Sequence, residues 1–176
     1  MDALKAIVAG FSFFDTDIRN IYDKIKSEDN TINIIFVNSK LVYGLDHILG
    51  ILKIINEKSK RIIESNIKNV EIEFLLRICY TNQIEYAIKS NFGDIKNKNY
   101  VVVLISKLEH KLSNTVEFLM SFGYEDSNLI RPDVTKKDYI LNYFFKDRFR
   151  GNYHLLLNNE EKYLKFLIEK AAISLN

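Results

Sequence analysis

Glycines stand at positions 10, 44, 50, 93, 123 and 151, too far apart for a loop whose backbone amides would cradle a phosphate. The histidines, His47, His110 and His154, and the single cysteine, Cys79, show no metal-ligand spacing, so neither a metal nor another cofactor is expected. Cys79 lies inside a strongly helical apolar pattern, which suits packing better than nucleophilic attack. Asp15 and Asp17 are the nearest approach to a carboxylate pair, yet acids at a helix start are explained by capping and by the helix dipole. No set of acid, base and oxyanion donors emerges that would name a reaction, and the chain reads as non-catalytic. Its formal net charge of +2 is too small to announce nucleic-acid binding, so any such reading must rest on local clusters of basic residues.

The elements that would position a site follow from apolar spacing. Leu4 to Phe11 reads as a strand, and the Asp15-Thr16-Asp17 cluster as the start of a helix with Ile18, Ile21, Tyr22 and Ile25 on its buried face. Ile32 to Val37 is rich in β-branched residues and reads as a second strand. After Gly44, Leu45, Ile48, Leu49, Leu52 and Ile55 share one face of a longer helix. Asn69 is placed to cap a helix carrying Phe74, Leu75 and Ile78, and Thr81 to cap one carrying Ile84, Ala87 and Ile88. Tyr100 to Ile105 suits a strand buried on both faces. A helix over Val116 to Phe122, a loop through Pro132, a helix capped by Thr135 and a last helix from Asn159 to Ser174 complete the chain. The expectation is a mixed α/β fold: one domain over residues 1–176, with a small sheet packed against a helical bundle. Apolar runs fall far short of the roughly 20 residues a membrane-spanning helix needs, no secretory signal is expected, and the reading is a cytoplasmic protein.

Two blocks of this chain carry a family resemblance. From Asn38 to Ile48 a strand end is followed by Gly44, two residues, His47 and an aliphatic residue, which resembles the Gly-x-x-His-Leu segment of the Cgi family, also called the PRPK-binding family. Glu73-Phe74-Leu75-Leu76-Arg77-Ile78-Cys79, followed by Asn82-Gln83-Ile84 and Ala87-Ile88, is similar to that family's Glu-Ile-Leu-Leu helix and its Arg/Asn-Gln-Ile helix start. Tyr100 to Ile105 and Leu167 to Ala172 follow in the expected order, so the resemblance covers nearly the whole chain. Two departures stand out: archaeal members often have Gly near Tyr80 and a basic residue at Asn82. The present chain is also longer between Leu108 and Asn159, so an insert is expected around residues 109–158.

The resemblance implies a subunit of the KEOPS (EKC) complex, the assembly that makes threonylcarbamoyladenosine on tRNA. Such a subunit has no activity of its own. It would bind and regulate the complex's small atypical kinase/ATPase, meet the other subunits indirectly, and hold the single-stranded 3′ CCA end of tRNA. RNA binding asks for cations at phosphates and for planar or amide groups at unpaired bases. Lys53 to Lys68 supplies five basic against two acidic side chains, Lys53 and Arg61 among the basic ones. His47, Arg77, Asn82 and Gln83 would converge beside that stretch, with Gln83 able to read base edges. The alternatives are a solvated charged face and a core histidine. On the last helix, Leu164, Leu167, Ile168, Ala171 and Leu175 form the core face. Phe166 and Ile173, near Lys170, are left over to meet the kinase, or else to tuck under the Lys136 to Arg150 stretch. The competing function is a protein-interaction domain that binds no RNA.

Overall fold

The computed structural model describes residues 5–15, 17–60, 69–146 and 159–175. In chain order the elements are β1 (Lys5–Phe13), α1 (Ile18–Glu28), β2 (Asn33–Asn38), α2 (Leu45–Lys60), α3 (Val70–Ile78), α4 (Ile84–Phe92), β3 (Asn99–Ser106), α5 (Glu109–Leu119), β4 (Gly123–Glu125), α6 (Val134–Phe144) and α7 (Glu160–Ile173). Single 3-10 turns lie at Ser39–Leu41 and Ser127–Ile130. The class is mixed α/β. The chain divides into two compact units: a sheet unit of residues 1–39 and 94–130, and a helical unit of residues 40–93 and 131–176.

In the sheet unit the strands run in the order β2-β3-β1-β4, every pair antiparallel. Val103 stands opposite Val8 on one side and Ile35 on the other, so the β-branched run forms the middle of the sheet. Tyr100 to Ser106 is buried throughout, as expected for a strand covered on both faces. Gly10 is required at its place in β1. The Asp126 N–H donates to the Gly10 carbonyl at 2.8 Å, and a Cβ at residue 10 would lie 2.3 Å from the Asp126 carbonyl oxygen. Helix α1 buries Ile18, Ile21 and Ile25, and the Asp17 carboxylate accepts from the Asn20 N–H at 3.1 Å, the capping role its position predicts. Helix α5 begins at Glu109, seven residues before the expected Val116, because Leu112 and Thr115 already face inward with Leu119.

The helical unit departs from expectation in detail. On α2 the buried face is His47, Ile48, Ile51 and Ile55, whereas Leu45 and Leu49 are exposed. Gly50 lets α7 approach, since a Cβ there would come within 2.5 Å of Ile168 Cδ1. Asn69 caps α3 as predicted, its side chain accepting from the N–H groups of Glu71 and Ile72. The caps of the other two helices are shifted: α4 starts after Gln83 instead of Thr81, and α6 after Asp133 instead of Thr135. A carboxylate at Asp133 accepts both the Thr135 N–H and its hydroxyl, and so outcompetes the threonine. The stretch expected as an insert supplies α5 and β4 to the sheet unit and α6 to the helical unit; its residues 147–158 lie outside the described residues. No helix among the described residues is long and apolar enough to cross a membrane.

Candidate functional site

A cleft of about 450 Å³ opens in the helical unit. One side is the lip that joins α3 to α4, Cys79 to Gln83, together with Tyr86 on α4; Phe144 and Phe145 stand at the end of α6, and Lys170, Ile173 and Ser174 come from the end of α7. Its floor is aromatic. The Tyr80 ring lies 5.2 Å from Phe144 and 4.9 Å from Phe145, and Tyr86 reaches Phe144 at 6.5 Å. The rim is polar, with exposed amides at Asn82 and Gln83 and, among the described lining residues, a single charged side chain, Lys170.

The lip has an unusual backbone. Helix α3 ends with a paired set of reversed hydrogen bonds: the Tyr80 N–H donates to the Arg77 carbonyl and the Thr81 N–H to the Leu76 carbonyl, each at 3.1 Å. Such an ending needs a left-handed residue, and Tyr80, with φ of 51°, is the one non-glycine residue with positive φ among the described residues. That conformation costs an L-residue about 1–2 kcal/mol. The Thr81 hydroxyl oxygen then accepts from the Gln83 N–H at 3.1 Å, turning the chain into α4.

Under the floor, His47 is fully buried and burial holds its imidazole down to about 3, so the ring is neutral at physiological pH. Its Nδ1 faces the Tyr43 N–H at 3.4 Å and accepts from it. The pattern of partners therefore assigns the proton to Nε2, which donates to the Tyr80 hydroxyl at 3.0 Å. Burial pushes the Tyr80 phenol well up from its ordinary range and the Cys79 thiol up to about 12. Neither is a nucleophile at neutral pH, and Cys79 packs as its helical setting predicted.

The residues read from the sequence as RNA contacts separate into two groups. Asn82 and Gln83 are exposed and line the cleft. Arg77 is 1% exposed: Nε and Nη2 both bond Glu73 Oε1, at 3.0 and 2.7 Å, and Nη1 bonds the Ala171 and Ala172 carbonyls, at 2.7 and 3.3 Å. It is a tie between α3 and the end of α7, so the expected phosphate contact is corrected. The same correction applies to His47, which is the core histidine among its two readings. Lys53 is exposed on α2 but is not among the cleft residues, and Arg61 lies outside the described residues.

The expected partner contacts divide as well. Ile173 is 58% exposed, and Lys170 is half-buried with its ammonium 5.5 Å from the centre of the Phe166 ring. Phe166 is half-buried and packs 5.1 Å from Phe145, within the described part of the Lys136 to Arg150 stretch, instead of standing out. Tyr163 takes the inward position beside Leu167 and Ala171, while Leu164, Ile168 and Leu175 are only half-buried.

Sequence reasoning passed over Tyr80, Tyr86, Phe144 and Phe145. The signal for the last pair was present in the consecutive aromatics of the Tyr143-Phe144-Phe145 run, in which no helix can point all three outward. Compared with known families and curated proteins, the chain matches no family model and no curated protein. Fold and site define a mixed α/β protein with an aromatic-floored cleft rimmed by amides.

Proposed function

We propose that this chain is a non-catalytic cytoplasmic binding subunit that holds the unpaired 3′ CCA end of tRNA in the Tyr80 cleft. Following the Cgi resemblance, it would also bind and regulate the small atypical kinase/ATPase of the KEOPS complex. The observation that carries the reading is the make-up of the cleft. Side-chain amides at Asn82 and Gln83 can pair with base edges, Tyr86 and Phe144 offer planar faces, and Lys170 offers a cation for a phosphate. Of the two apolar residues read as kinase contacts, Ile173 is the exposed one, at the edge of the same cleft.

The test is a gel-shift titration with intact and CCA-trimmed tRNA at two salt concentrations. Intact tRNA is expected to bind more tightly, affinity to fall as salt rises, and Gln83→Ala to erase most of the preference for the intact end without changing the salt dependence. Equal binding of both RNAs rejects the cleft as an RNA-end site. In parallel, Ile173→Glu is expected to weaken co-purification with the kinase while leaving thermal unfolding unchanged; undiminished recovery of the kinase rejects that contact. A second reading, a protein-interaction domain that binds no RNA, is favoured by Ile84 and Ile88, which stand one turn apart on α4 and are both exposed. Kinase recovery without any RNA shift would select it.

A further inference from the structure

The course of the lip depends on one backbone angle. Tyr80 must keep φ positive for its own N–H and that of Thr81 to reach the Arg77 and Leu76 carbonyls, and it has none of the freedom glycine would bring. Its ring is gripped by Phe144 and Phe145 of the α6 end, contacts that fix a plane but are weakly directional. The directional tie is the hydroxyl, bonded to His47 on α2, and that histidine is itself oriented by the Tyr43 N–H. We propose that the His47–Tyr80 hydrogen bond holds the lip of the cleft in its binding shape, making His47 a positioning residue that acts on the cleft ligand through Tyr80 without touching it.

The importance of the device for RNA rests on the cleft function proposed above; its mechanical part does not. Tyr80→Phe keeps the ring and removes only the oxygen. Tyr80→Gly removes the ring but adopts the left-handed conformation freely. His47→Gln keeps a side-chain N–H donor on the same helix.

Two readouts separate the mechanical claim from the functional one. The first is amide hydrogen exchange at Tyr80 and Thr81, the two lip donors. In Tyr80→Phe their exchange is expected to accelerate by about tenfold or more, and by more than that of the amides of β3. In Tyr80→Gly lip exchange is also expected to accelerate, since the hydroxyl and the ring contacts go together even though the backbone strain is relieved, and in His47→Gln it rises by less than in Tyr80→Phe. The second readout is preference for intact over trimmed tRNA, which Tyr80→Phe is expected to reduce by about fivefold with an unchanged salt slope, since no phosphate contact is removed. Unchanged lip exchange in Tyr80→Phe would overturn the proposal whatever the RNA result. Accelerated lip exchange in a protein that ignores the CCA end would support the positioning device and sink the RNA reading alone.

Discussion

Arg77 directs its hydrogen bonds inward, to one carboxylate and two carbonyls of its own unit. A buried guanidinium of this kind is destabilising to remove because its partner stays behind. In Arg77→Ala, Glu73 would be left facing Lys58 at 3.9 Å, and the Ala171 and Ala172 carbonyls would lose the guanidinium, Ala171 keeping only the Ser174 hydroxyl at 3.0 Å. The expected loss is about 3–5 kcal/mol in urea unfolding, and a double variant, Glu73→Leu with Arg77→Met, should recover most of it. Any RNA affinity lost in Arg77→Ala should therefore track the fraction of protein unfolded. The spacing of Glu73 and Arg77 was legible as a helical i, i+4 pair. Its burial was not, because the carbonyls that complete it come from a segment 94 residues away. His47 was misplaced for a related reason: one histidine among aliphatic residues carries no mark of the phenol that will satisfy it.

At the scale of elements, β-branched and aromatic runs made β1, β2 and β3 readable to within one or two residues. The three-residue β4 offered no such run, and it exists because Gly123 can lie against the Ser12 carbonyl, where a Cβ would approach to 2.4 Å. Faces of helices were harder to read than their existence. Leu49 fits the apolar spacing of α2 yet stays exposed, since three inward positions on the same helix were already filled by Ile48, Ile51 and Ile55. Just past α1 a polar clasp reaches α5: Asp29 accepts from Lys111 at 2.5 Å and from the Thr31 hydroxyl and N–H at 2.5 and 2.9 Å. These bonds, Lys111 first, hold the Asp29 carboxyl down to about 2 from an ordinary 3.8. Because the folded value is the lower one, the stabilisation is present in full above about pH 4 and disappears as the pH falls toward 2. Urea midpoints measured between pH 2 and pH 5 should accordingly fall less steeply in Asp29→Asn than in wild type.

For the molecule as a whole, the notable point is connectivity. The chain passes between the two units three times, after Ser39, Gly93 and Ile130, so each unit is assembled from two separated segments and neither corresponds to a continuous piece of sequence. Opening either unit releases the ends that the other needs held, and the two are expected to unfold in one transition. Cys79 gives a way to see this. As the chain's single thiol, fully buried and pushed up to about 12, it is chemically silent while folded and awakens only on opening. Alkylation by an excess of a small thiol reagent thus becomes an intrinsic clock for the end of α3. The opening free energy it reports in native buffer should equal that of global urea unfolding followed through the sheet, and a markedly smaller value would mean that the helical unit breathes on its own.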